Sequence, residues 1–175
     1  MTIRTTRAAA IKILKHGGVG VMPTDTIYGL VGQALNPEAV TQIYKLKQRP
    51  TSKPFIILIS DLSDLKKFKV NPSSTDRRII RQVWPGPISI IFSRTLACRL
   101  PALPSLRKFL KQTGPLIATS ANIAGGAPAH TITMAKKYFG PVGKGVDFYL
   151  AGKIINRKPS TLVKIKRGKI IVVRT

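Results

Sequence analysis

Short apolar runs alternate with amphipathic segments along the chain. Val19–Pro23, FIILIS at 55–60 and ISIIF at 88–92 are of strand length and rich in branched side chains, which predicts buried strands. Helical periodicity falls between them. The opening MTIRTTRAAAIKILKHGG predicts an amphipathic helix that Gly17-Gly18 terminates. Pro37–Lys47 predicts a second, with Ile43 and Leu46 on its apolar face. Leu62–Phe68 and Ser74–Trp84 follow as helices, each after Asp, Ser or Asn capping candidates. A Pro-bounded stretch covers Arg99–Pro104, and Ser105–Gln112 and Thr131–Phe139 complete the helices. Leu116–Ala118 predicts a strand running straight into Thr119-Ser120-Ala121-Asn122. Thr161–Ile165 and Lys169–Val173 predict two strands across an Arg167-Gly168 turn.

Alternating strands and helices imply an α/β fold, and the closing hairpin makes the sheet mixed. No repeat, linker or low-complexity tract divides residues 1–175, so a single domain with helices flanking one sheet is expected. Hydrophobic residues are 43% of the chain, enough for a core. In such folds ligands sit at the carboxyl ends of strands. Two polar segments fall there, TDTIYG at 24–29 and TSAN at 119–122.

Charge changes the picture. Thirty Lys and Arg face six Asp and Glu, a net charge of +24, and Glu38 is the only glutamate. Such an imbalance repels itself unless polyanions offset it, which points to phosphate-bearing partners, nucleotide or RNA. Asp25, Asp61, Asp64, Asp76, Asp147, His16 and His130 are scattered, so no metal-ligand spacing is present and no protein-held metal is expected. Cys98 stands alone, which excludes a disulfide framework, suits a reducing compartment and reads as core packing. No apolar run reaches membrane-spanning length and no signal-peptide pattern opens the chain, so a cytoplasmic location is expected. GxxxxGK[ST] and GxSxG are missing, and Gly140, Gly143 and Gly145 lack dinucleotide-fingerprint spacing.

Lys45-Leu-Lys47-Gln-Arg49-Pro-Thr-Ser-Lys53-Pro54 gathers cations where a helix ends and a strand begins. Lys47, Arg49 and Lys53 can converge on a triphosphate, or they can be a solvated, dipole-complementing helix end. Thr24-Asp25-Thr26 and Thr119–Asn122 offer hydroxyl and amide groups to a small polar substrate. The same residues equally make Asx or Ser/Thr turns and helix caps. Trp84-Pro85-Gly86-Pro87 reads as a rigid turn with the indole on the core.

Taken together, PTDTIYGL at 23–30, KQRP and KP within 47–54, WPGPISIIF at 84–92, RLP at 99–101, TSANIAG at 119–125 and PSTLV at 159–163 occur in one order. That set resembles the YrdC/TsaC family, the threonylcarbamoyl-AMP synthases, over nearly the whole chain. The resemblance implies an α/β domain with a twisted sheet and a basic concave face. It implies an enzyme that joins L-threonine, bicarbonate and ATP into threonylcarbamoyl-adenylate and pyrophosphate, for threonylcarbamoyladenosine modification of tRNA with partner proteins.

Carried over residue by residue, it implies that Lys47, Arg49 and Lys53 grip the triphosphate, with Lys47 and Arg49 catalytic. Asn122 and Arg174 join them at ATP, with Thr95 and Thr131 as looser nucleotide candidates. Thr26, Tyr28, Arg99, Ser120 and Ser160 line the threonine pocket, Arg99 taking the carboxylate. Mg²⁺ would be held through the nucleotide's phosphates. Departures are Ala124 for a usual serine, Ser89 in the WPGP segment, Leu150-Ala151-Gly152 in place of a DG-type turn, and Leu58 where longer relatives carry histidine. The competing class is a non-enzymatic module that binds tRNA or double-stranded RNA through its charge. Only 6% aromatic residues and no RNP-like segment argue against single-strand base reading.

Overall fold

Thr6 opens the first helix, α1 (Arg7–Lys15), its hydroxyl oxygen accepting from the Ala9 N–H. Gly17, at φ +84°, closes it: the N–H groups of Gly17 and Gly18 donate to the Leu14 and Ile13 carbonyls. This is the left-handed closure that glycine adopts without a Cβ penalty. The computed structural model describes residues 5–155 and 157–175, so residues 1–4 of the predicted opening helix lie outside the described residues. The other helices are α2 (Pro37–Lys47), α3 (Ser74–Val83), α4 (Pro104–Thr113) and α5 (Ile132–Phe139). Asn36, Ser73 and Thr131 cap α2, α3 and α5 with side-chain oxygens.

Among the described residues nine strands form one mixed sheet. They are β1 (Gly20–Pro23), β2 (Tyr28–Gln33), β3 (Ile56–Leu58), β4 (Ile88–Ser93), β5 (Leu96–Arg99), β6 (Leu116–Ser120), β7 (Phe148–Tyr149), β8 (Thr161–Lys166) and β9 (Lys169–Arg174). The spatial order is β7-β1-β2-β6-β3-β5-β4-β8-β9. β1–β7, β3–β5 and β4–β8 pair parallel and the rest antiparallel. The predicted α/β class with a mixed sheet is observed.

Successive strand residues face opposite sides of this sheet, and each side has its own core. Val21, Leu30, Ile57, Ile117 and Tyr149 pack with α2, α3 and α5. Their neighbours Met22, Val31, Leu58, Leu116 and Phe148 pack with α1 and α4. Arg167 and Gly168, both at positive φ, make the predicted turn between β8 and β9. Such a pair of left-handed residues matches the twist of a two-residue hairpin.

Several sequence expectations are corrected. TDTIYG is not a continuous loop, because β2 begins at Tyr28. Gly29 and Gly32 interrupt the apolar run and disguised the strand. Gly32 is needed for close packing: a Cβ there would lie 3.0 Å from Ile43 Cδ1 on α2. β5 occupies what read as the approach to a Pro-bounded stretch, and β7 is two residues long, too short to leave a pattern. Leu62–Phe68 is helical over the expected span, as a 3₁₀ helix with reciprocal capping between Asp61 and Asp64 at its first turn. Trp84 packs as expected, 5% exposed, its indole N–H donating to the Ile88 carbonyl at 2.6 Å.

Candidate functional site

Thr24 turns the chain from β1 into β2. Its hydroxyl oxygen accepts from the Thr26 and Ile27 N–H groups, each at 3.2 Å, and its hydrogen goes to the Ile27 carbonyl at 2.6 Å. This Ser/Thr turn presents Thr26 to a cavity of about 850 Å³, which also borders the end of β6, the β4–β5 hairpin and the β8–β9 hairpin. Of the residues singled out from sequence, Thr26, Arg49, Thr95, Arg99, Ser120, Ser160 and Arg174 line it. Residues up to 148 positions apart thus meet at one cavity. Thr95 is exposed, its hydroxyl bonded to Ser93 Oγ at 3.3 Å. Ser160 Oγ lies 2.8 Å from Ser89 Oγ, both buried, and the Ser160 carbonyl accepts from Arg174 Nη2 at 3.3 Å.

The remaining candidates lie off the lining. Tyr28 is buried at 1% exposure and its hydroxyl donates to the Lys153 carbonyl at 3.1 Å, so it supports the 151–155 segment rather than facing the cavity. Lys53 is exposed, and its carbonyl accepts from Arg49 Nε at 3.2 Å and Tyr44 Oη at 3.3 Å. The Thr131 hydroxyl is taken by the Met134 N–H as the α5 cap. Asn122 is buried behind Ser120.

Lys47 departs most from a phosphate-gripping lysine. It is 2% exposed, at the end of the buried stripe of α2. Its ammonium donates to the Ser120 carbonyl at 2.7 Å, the Asn122 carbonyl at 2.6 Å and Asn122 Oδ1 at 2.6 Å. An ammonium has three protons, and these acceptors use all of them. Ser120 Oγ donates to the same Asn122 Oδ1 at 2.6 Å, Asn122 Nδ2 donates to the Gly126 carbonyl, and the Ala124 N–H donates to the Lys47 carbonyl at 2.9 Å. Helix end and Ser-Ala-Asn loop are locked in both directions. Burial, with repulsion from Arg49 added, brings the Lys47 ammonium down to about 8.

Gln48, left-handed at φ 49°, ends α2 and sends Arg49 outward. Its guanidinium donates from Nε to the Lys53 carbonyl at 3.2 Å and from Nη2 to the Pro54 carbonyl at 3.1 Å, and lies 5.1 Å from the Phe55 ring centroid. Burial lowers its proton affinity, Tyr44 opposes this, and Arg174 adds to it, so two guanidinium charges are felt together at this rim.

Arg99 is a buried cation of the lining. Its side chain is 4% exposed, and Nη1 donates to both Asp25 carboxylate oxygens, at 2.6 and 2.7 Å. Nη2 reaches Thr26 Oγ1 only at 3.5 Å, and Nε is buried with no hydrogen-bond partner among the described residues. Asp25, Ser89 and Phe55 belong to the site's architecture, but the sequence assigned none of them a role of its own there. Asp25 and Arg99 are 74 residues apart, and nothing local marks their pairing. Of the departures noted, Leu58 is buried with α1 and α4 away from the lining, and Ala124 is exposed. Among the described residues no group of three His, Cys, Asp or Glu side chains is placed to hold a metal, and no helix is long and apolar enough to cross a membrane.

A family model described as Sua5/yciO/yrdC, telomere recombination, matches residues 12–175. The chain is 34% identical over 176 residues to a provisionally named threonylcarbamoyl-AMP synthase of Methanocaldococcus jannaschii, covering 93% of this chain and 82% of that one. It is 32% identical over 180 residues to the threonylcarbamoyl-AMP synthase of Marinobacter nauticus, covering 93% and 92%. Among solved structures, Pyrococcus abyssi Sua5 complexed with L-threonine superposes with a TM-score of 0.85 at 24% identity, over 98% of this chain and 55% of that one. Escherichia coli YciO superposes with a TM-score of 0.80 at 24% identity, over 96% and 87%. These two likenesses establish the fold.

Proposed function

The chain belongs to the Sua5/YciO/YrdC family, and from that premise we propose that it is a threonylcarbamoyl-AMP synthase. It takes L-threonine, bicarbonate and ATP to threonylcarbamoyl-adenylate, pyrophosphate and water. The observation that carries the reading is the convergence of Thr26, Arg99, Ser120 and Ser160 with Arg49 and Arg174 on one cavity. Hydroxyls and a buried arginine suit an amino acid, and the half-buried Arg49 and exposed Arg174 guanidinium groups suit phosphates.

The threonine amine adds to bicarbonate or CO₂ to form a carbamate. A carbamate oxygen then attacks the α-phosphorus, and the Pα–O bond to pyrophosphate breaks. One anion attacks a polyanion, so the protein's work is to position and neutralise. Arg49, with Arg174, meets the phosphates and Thr95 borders the nucleotide, with Lys53 at the outer edge. Thr26, Ser120 and Ser160 hold the amino acid and Arg99 takes its carboxylate. Lys47 and Asn122 act from below by fixing the loop that carries Ser120. Tyr28 and Thr131 support this frame from outside the cavity. Mg²⁺ enters with the nucleotide as part of the substrate, since Asp25 is already committed to Arg99.

The product's mixed anhydride is consumed by tRNA-modification proteins in the cytoplasm, with the cationic surface in contact with tRNA. A purely RNA-binding module accounts for the charge and leaves the cavity without a role. The test is pyrophosphate release from MgATP and bicarbonate, with and without L-threonine and with serine and alanine in its place. Threonine-dependent release is expected. No release with any amino acid from folded protein refutes the synthase and turns attention to RNA.

A further inference from the structure

Asp25 does not line the cavity. It lies buried against Arg99, its carboxylate side chain 8% exposed. A guanidinium has two edges that fork onto a carboxylate, Nη1–Nη2 and Nε–Nη2. Arg–carboxylate pairs frequently take one such edge with one oxygen on each nitrogen. Here both oxygens sit on Nη1, at 2.6 and 2.7 Å. Among the described residues the second edge is left almost bare: Nη2 has only a 3.5 Å contact to Thr26 Oγ1, and Nε has none although it is buried. Buried donors without partners are uncommon in folded proteins and call for an explanation. Arg99 lines the cavity, and an Nε–Nη2 edge without partners has the spacing of a carboxylate.

We propose that Asp25 is a positioning residue that neutralises Arg99 and holds it by Nη1, so that its Nε–Nη2 edge receives the carboxylate of the amino-acid substrate. The inference rests on the amino-acid reading of the cavity given above and adds to it a source of specificity. The site takes amino acids with a free α-carboxylate and rejects their alcohols, esters and amides. Anchoring the carboxylate at Arg99 also leaves the amine free of that cation for carboxylation.

Calorimetric titration of L-threonine and of L-threoninol, which carries CH₂OH in place of the carboxylate, tests this on wild type, Asp25→Ala, Asp25→Asn and Asp25→Glu. Wild type is expected to prefer threonine by roughly tenfold or more, the size of a charge-assisted forked pair. In Asp25→Ala, threonine affinity falls about tenfold while threoninol and ATP affinities stay, so the preference collapses. Asp25→Glu restores part of it. If Asp25→Ala does not fold, Asp25→Asn keeps the side-chain shape and carries the same expectation. Equal losses for both ligands, or an unchanged preference, overturn the assignment. Pyrophosphate release, measured separately, distinguishes the two readings. A wild type that prefers threonine over threoninol without releasing pyrophosphate refutes the synthase and leaves Asp25 in its role; one that binds neither ligand refutes both.

Discussion

Replacing Lys47 by methionine keeps an unbranched apolar stem and removes the ammonium. Three acceptors within 2.7 Å then lose their donor, two of them backbone carbonyls of the Ser-Ala-Asn loop. Hydrogen bonds to a charged group contribute about 1.5–3 kcal/mol each, so a plain sum would be roughly 4.5–9 kcal/mol. Two effects reduce it. The substitution also removes a charge that burial already disfavours, as the depressed Lys47 value of about 8 records. Water can also reach part of a loop next to a cavity. A net loss of about 2–4 kcal/mol remains, which lowers the melting temperature by roughly 5–15 °C for a domain of this size.

Activity should fall further than stability alone explains. Ser120 would no longer be held, and a misplacement of about 1 Å costs on the order of a hundredfold in rate. The assays are thermal unfolding by circular dichroism and threonine-dependent pyrophosphate release. A lysine that simply grips phosphate makes the opposite forecast. Its loss would raise the KM for ATP and leave the melting temperature unchanged or higher, because a buried charge has gone. That outcome would refute the loop-anchoring role.

Arg49→Lys keeps a charge but loses the fork onto Lys53 and Pro54 and the stacking on Phe55; ATP affinity should fall about tenfold by calorimetry. Unchanged affinity would show that the clamp is dispensable. Catalysis that needs the Lys47 ammonium should decline as pH rises through about 8, giving an alkaline limb in the pH–rate profile. Lys47's effect on stability has the other sign. Between about 8 and 10.5 the unfolded chain holds a proton that the folded one has released, so this group's contribution to stability rises with pH. A profile flat to pH ~9.5 would contradict the ammonium requirement. Cys98 is buried, and burial, with Asp64 adding to it, pushes its thiol up to about 12. It should resist thiol reagents at pH ~8 in the native state and react fully in denaturant; fast native labelling would contradict the packing.

The strands legible in the sequence are those whose burial is written as uninterrupted branched residues, FIILIS and ISIIF above all. β2 is as buried as either, but close approach to α2 demands glycine at position 32, and glycine erases the apolar signal. β5 follows a turn through Arg94 and Thr95 that lacks the usual turn residues, so its start had no marker. The caps and the β8–β9 turn were legible because their chemistry is local: a hydroxyl or amide oxygen three residues before an N–H, or a glycine where φ is positive.

The site divides along the same line between local and distant information. Lys47 and Arg49 are two residues apart in one basic segment and have opposite fates. The left-handed Gln48 falls between them, so Lys47 is the last residue directed by the helix and Arg49 the first directed by the loop. Ala39, Ile43 and Lys47 recur every four positions, and all three are buried. A lysine in register with an apolar stripe has to be buried with its donors satisfied, and that much can be read from spacing alone. Its partners cannot, because the acceptors are carbonyl-type oxygens more than seventy residues away that the β2–β6 pairing brings alongside. The same holds for Asp25 and Arg99. Their residue types announce an ion pair, but only the folded sheet shows which edge of the guanidinium the carboxylate leaves open, and that edge decides what the cavity selects.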